Sequence, residues 1–102
     1  MALVGGGTVR VGGIDTAIQQ VYNITAATVV KASPGYAAAV SVIVAGSAAG
    51  AVYDSAATTG NSAANQIAVI PNTVGVITLR WPTDYGFTVV PGTGQTLAVS
   101  YA

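Results

Sequence analysis

Three aspartates, Asp15, Asp54 and Asp84, are the only acidic side chains in this 102-residue chain, which contains no His, no Cys and no Glu. General acid–base or nucleophilic chemistry needs a base held beside a nucleophile, and none of the usual pairings can be assembled from this set. Each aspartate lies beside turn residues, where Asp more often accepts backbone amides than it transfers protons. The expectation is a protein that is not an enzyme, with no catalytic residue and no cofactor. The stretch "YDSAATTGN" offers one carboxylate before its hydroxyls and amide, too few for a calcium loop, so no metal site is expected. The glycine-rich "GGGTVRVGG" and "PGTGQT" match neither the GxGxxG nor the GK[ST] phosphate signature. Only Arg10, Lys31 and Arg80 carry positive charge, which leaves nothing to drive binding to a phosphate backbone.

The aromatic residues suggest surfaces instead of chemistry. Tyr22, Tyr36, Tyr53, Tyr85, Tyr101 and Trp81 stand against a single Phe. Such rings bury one face while keeping a polar tip wet, as at subunit interfaces, sheet edges or sugar-binding surfaces. Tyr36, Tyr53 and Trp81 are taken as interface candidates, with a carbohydrate platform as the competing use. Charged residues make up 6% of the chain and the net charge is zero, against about 25% charged residues in ordinary soluble domains. So sparsely charged a surface tends to be covered by a partner, and an obligate assembly is expected.

The elements that must position these residues are strands. Ala, Val, Thr and Gly dominate, and small and β-branched side chains suit pleated sheets packed face to face. Turn signals recur about every ten residues between short alternating runs. The runs are "TAATVVKA", "YAAAVSVIVAG", "GAVYDSA", "QIAVIP", "GVITLRWP", "GFTVV" and "QTLAVSY". They predict an all-β, antiparallel β-sandwich of about seven strands, or eight if "TVRV" or "QVYNI" joins a sheet, jelly-roll or immunoglobulin-like. The stretch "IDTAIQQVY" fits either a short helix or turn, or the opening of a strand. Val29, Val40, Val42, Val44, Ile67, Val69, Ile77, Leu79, Phe87, Val89, Leu97 and Val99 are the expected core. The polar "ATTGNSAAN" is expected at an exposed loop tip.

Residues 1–13 read as a Gly-rich arm preceding a single domain over 14–102. Leu3, Val4, Val9 and Val11 would supply its apolar contacts to an adjacent copy or to a larger shell, by strand addition or in a groove, the alternative being an arm folded back on its own sandwich as an edge strand. The first residues lack the basic start and continuous apolar run of a signal peptide, and polar residues interrupt every apolar stretch. Synthesis in the cytosol without a membrane partner is the expectation, and the Asn23-Ile24-Thr25 glycosylation triplet is then without consequence.

From "NITAATVVKASPGYAAAVSVIVAG" through "AVYDSA" to "GFTVVPGTGQTLAVSYA", the chain resembles small bacteriophage virion proteins of the capsid decoration, or cement, kind. Val29 to Gly35, Val52 to Asp54, Gly86 to Val90 and Val99 to Tyr101 carry the resemblance, which covers about four fifths of the chain and excludes the Gly-rich arm. It implies a sandwich, often a trimer, that is made in the host cytoplasm and binds the major capsid protein on the outer surface of the head, where it bridges capsid subunits. The alternatives are a virion attachment module whose loops and aromatics bind a cell-surface glycan, or another small tail or fibre component. A groove of paired aromatics lined by Asn and Asp would favour attachment, and a broad apolar face would favour cement.

Overall fold

The structure, a computed structural model, describes Arg10–Val11, Ile14–Asp15 and residues 18–102. Ten strands run along the described chain: β1 (Arg10–Val11), β2 (Ile14–Asp15), β3 (Gln19–Ile24), β4 (Thr28–Lys31), β5 (Gly35–Val44), β6 (Gly50–Tyr53), β7 (Gln66–Ile70), β8 (Gly75–Thr83), β9 (Phe87–Val90) and β10 (Thr96–Tyr101). Strands β1 and β2 form a small antiparallel ladder, with Arg10 opposite Asp15 and Val11 opposite Ile14. The remaining eight form two four-stranded antiparallel sheets, in the orders β3-β10-β5-β8 and β4-β9-β6-β7. Within these sheets only β6 and β7 are neighbours both in sequence and in space. Every other consecutive pair switches sheets.

The stretch "IDTAIQQVY" resolves in favour of strand: Ile14–Asp15 pairs with β1 and Gln19–Ile24 is an edge strand beside β10. The β1–β2 pairing joins residues on both sides of the expected arm boundary at residue 13. Of the arm, Met1 to Val9, with Leu3, Val4 and Val9, lies outside the described residues, as do residues 12, 13, 16 and 17.

Inner faces of both sheets contribute to one core: Ile24, Ala37, Val40, Val42, Leu97 and Val99 from one, Val52, Ile70, Phe87 and Val89 from the other. Six of these were expected. The departures are register effects. Val52 pairs with Ala68 and Gly50 with Ile70, so Ile70 points inward and Val69, expected inside, is 60% exposed. A register shift beyond Val52 leaves Ile67 as an extra residue, packed against the margin of the core. In β4 the shift between Val29 and Lys31 leaves Val30 packing against the core in place of Val29. A further shift at Thr96–Leu97 ends the regular pairing of β5, and Val44 is exposed. Ile77 and Leu79, on edge strand β8, are only partly buried against the core.

Two bulges matter for the surface. Val21 and Ile24 both pack inward although they are three residues apart, because Asn23 adopts φ 57° and takes up the extra residue. Asn tolerates this left-handed conformation better than most residues do. In β8, Arg80 has φ 50° in the gap between the Thr78–Ala39 and Trp81–Ala37 pairs. Each bulge adds local twist to an edge strand, which hinders continuous pairing with a further strand.

Candidate interaction surfaces

One end of the molecule is organised by Asp54, directly after β6. Its carboxylate accepts the backbone N–H groups of Asp84 at 2.9 Å, Tyr85 at 2.8 Å and Gly86 at 3.2 Å. Burial acts to raise the Asp54 pKa, but these three N–H donors outweigh it and hold the carboxyl below its ordinary value. The β6–β7 loop is thereby tied to the β8–β9 turn. The loop is closed by its own polar groups. The Ser62 hydroxyl accepts Ala64 N–H, Asn65 Oδ1 accepts Ser62 N–H, and together they cap a 3-10 turn over Ala63–Asn65. Asn65 Nδ2 donates to Asn61 Oδ1 at 3.0 Å, and Asn61 Nδ2 donates to Ala57 O at 2.9 Å.

Between these loops lies an open hollow of about 370 Å³, lined by Asp54, Ser55, Thr59, Asn61, Asn65 and Tyr85. Tyr85 is 69% exposed at its margin. The hollow combines one aromatic face with carboxylate, hydroxyl and amide groups. Most of that polar capacity is already committed within the loops, and the hollow has one ring, not a pair.

The second surface is the outward face of the β3-β10-β5-β8 sheet. Ala98 pairs with Ser41 and Ser100 with Ala39 on its two central strands, so the middle of the face is a floor of small side chains. The β3 bulge at Asn23 places Tyr22 outward on one edge, 69% exposed, and Val76 on β8 stands at the other edge, 67% exposed. Val76 is paired across to Ser41. Two contiguous hollows result, of about 460 Å³ and about 500 Å³, sharing Tyr22, Ser41 and Ala98. Together they form a shallow channel with Ile43 at one end and Gln20 and Ser100 towards the other. No charged residue among the described ones lines it. Val74, in the loop just before β8, is exposed as well.

The candidate interface residues are dispersed. Trp81 lies opposite Ala37 at the edge of one sheet and is 51% exposed. Tyr36 is half-buried, its backbone exchanging hydrogen bonds with Ala102 in both directions. Tyr53 is half-buried on β6, in the other sheet, opposite Thr88 and Gln66. Val11 is described only as a member of β1. The rings most open to solvent are Tyr22 and Tyr85. Period-two reading of β3 could not single out Tyr22, because its outward position is set by the bulge beside it. Of the aspartates, Asp54 accepts from the backbone of Asp84, and Asp15 is in β2. Among the described residues, no three acidic, His or Cys side chains are grouped so as to hold a metal, and no helix is long and apolar enough to cross a membrane.

No family model matches the chain, and neither a curated protein nor a solved structure matches it.

Proposed function

We propose that this chain is a non-enzymatic structural protein of a bacteriophage virion, a capsid decoration protein that binds the outside of the head and stabilises it by bridging capsid subunits. The observation that carries this reading is the channel on the outer face of the β3-β10-β5-β8 sheet, lined among the described residues by no charged side chain, with Tyr22, Ile43 and Val76 standing proud of a floor of small residues. A face of this kind, on a chain with six charged side chains, is suited to being covered by protein. Its partners in this reading are the major capsid protein and further copies of itself, in the threefold arrangement that the resemblance implies. Stabilisation is then mass action: a subunit that binds only the assembled shell adds its binding free energy to the stability of that shell.

Within the same reading the fold is a jelly roll. The strand orders support it over an immunoglobulin-like topology, because from β3 to β10 the strands alternate between the two four-stranded sheets except at β6–β7, the one in-sheet hairpin within them. Immunoglobulin-like domains place several sequence neighbours side by side within one sheet. Jelly rolls occur among viral capsid domains and lectins, which leaves room for the alternative of attachment. The hollow beside Tyr85, with Asp54, Asn61 and Asn65 around it, favours a glycan-binding loop end as that second reading. A tail or fibre position would use the same apolar face against a different partner.

The experiment is a copy count by mass spectrometry in purified particles of the phage that encodes the chain, relative to the major shell protein, repeated on heads separated from tails. A fixed ratio to shell protein on tail-free heads, together with a lower disruption temperature for heads lacking the protein, is expected. Presence only on tails, or absence from particles, overturns the decoration role.

A further inference from the structure

We infer that the channel on the outer face of the β3-β10-β5-β8 sheet is the receptor for the N-terminal segment of a second copy of this chain, residues Met1 to Val9, and that subunits join through this exchange. The inference deepens the self-association in the proposed function and does not depend on the shell.

The channel has the shape and chemistry for an extended, uncharged, Gly-containing strand. Its floor consists of Ala39, Ser41, Ala98 and Ser100, and its walls are Tyr22 and Val76. A backbone can approach such a floor closely where it carries no side chain, and "MALVGGGTV" places Gly5, Gly6 and Gly7 between Leu3-Val4 and Val9. The glycines match the small floor, and the apolar residues on either side can meet Ile43 at one end and the walls formed by Tyr22 and Val76. Neither the segment nor the described lining of the channel carries a charged side chain, so no side-chain charge has to be desolvated on docking.

Length and origin fit as well. From Thr96 to Ser100 the channel follows β10 for about 14 Å at the rise of an antiparallel strand, whereas nine extended residues reach about 30 Å. The segment enters β1 at Arg10, whose partner Asp15 lies four residues before Gln19, the first residue of edge strand β3. Gln19 is paired with Tyr101. The segment therefore starts near one end of the very sheet that carries the channel. Among the described residues nothing covers the channel, and Tyr22 and Val76 are both more than half exposed. A segment of one copy seated in the channel of the next is a heterologous contact, which closes into a ring when the rotation allows, compatible with a trimer.

The chain has no cysteine, so introduced thiols report without background. Leu3→Cys and Ala98→Cys variants, one of them carrying a mass tag, are mixed as purified full chains and mildly oxidised. A disulfide joining tagged to untagged chain is expected at a yield well above the control, up to the half of chains that random equal mixing allows, and the double variant should give a ladder of linked chains. A Leu3→Cys and Thr59→Cys mixture, with the second thiol on the distant β6–β7 loop, is the control. A bridge confined within one chain of the double variant, or a yield no greater than the control, overturns the inference. Independently, Ala98→Arg should weaken self-association by about tenfold or more while the circular dichroism melt is retained, and deletion of residues 2–9 should weaken it equally. Full association of the deletion variant, or a free protein that is monomeric throughout, overturns it too. Because every readout is on free protein, these results stand apart from whether the chain is found on heads.

Discussion

The Asp54 carboxylate accepts the backbone N–H of Tyr85 at 2.8 Å, so one side chain after β6 fixes the conformation of the turn that presents an exposed ring after β8. Asp84 and Gly86 donate to the same carboxylate. The ionised form is the one these donors favour, which holds the pKa of Asp54 below its ordinary value despite the opposing effect of burial. A group whose folded pKa is depressed contributes stability that is fully present above its unfolded pKa and is lost as pH falls through the folded value. The stability of the chain should accordingly decline on acidification below the ordinary aspartate value of 3.8. Melting temperature against pH, for the native chain and Asp54→Ala, checks this: the gap between the two curves should be constant near neutrality and narrow below that value. A gap independent of pH down to strong acid would remove Asp54 as the cause.

The same geometry separates structure from chemistry. Asp54→Asn keeps one acceptor oxygen but turns an NH₂ towards backbone donors, which should cost about 1–3 kcal/mol. In the triple Asp15→Asn, Asp54→Asn, Asp84→Asn variant, self-association and binding to heads should persist once the temperature is lowered enough for the protein to remain folded. Loss of binding by a fully folded triple variant would point to a polar or metal-dependent site.

The opposite end is held by amides. Gln95, 1% exposed, accepts Gly92 N–H at 2.8 Å and donates to Pro71 O at 3.0 Å. Asn72 exchanges two bonds of 2.8 Å with the backbone of Gly46, taking the place of a neighbouring strand. A Cβ on Gly46 would collide with Thr93 O, and one on Gly50 would lie 2.5 Å from Val90 O. Three loops that follow different strands are thus locked together. Gln95→Leu should lower stability by about 2–4 kcal/mol, because two partly buried backbone groups lose their partners. Asn72→Ala should cost about 1–2 kcal/mol, since its site is less buried. Denaturant unfolding measures both, and a Gln95→Leu variant as stable as the parent would mean that water replaces both bonds.

How much of this was legible in the sequence depended on whether strands kept a strict period of two. In β10, Leu97 and Val99 face the core, with Tyr101 packed against it, as simple alternation predicts. In β5 the outward Ser41 and inward Val40 and Val42 follow the same rule. Where a bulge intervenes the rule fails by one residue, as at Val29 and Val30 or Ile67. The parity of β7 is set by its partner Val52 and not by its own residues, so Val69 and Ile70 exchange the expected sides. Neither the alternate distribution of strands between sheets nor the channel is a local property. The channel needs Ala98 and Ser41, 57 positions apart in the chain, side by side. The aspartates read correctly at Asp54, because a carboxylate beside a turn meets unpaired amides there.

Arg80 gives the last test, since its conformation carries a cost that its side chain does not visibly repay. At φ 50° a residue with a Cβ is strained relative to glycine, and Arg80 is exposed. If the bulge is a fixed feature of β8, glycine should relieve the strain, though it also raises the entropy of the unfolded chain. The net expectation for Arg80→Gly is a change between zero and about 1 kcal/mol in favour of the folded state. Arg80→Val, whose branched Cβ suits the left-handed region least, should lose about 1–2 kcal/mol. Paired thermal melts decide it. Should valine prove the more stabilising of the two, β8 would be running as a regular strand, and Trp81 would then exchange its place opposite Ala37 for the other face of the sheet.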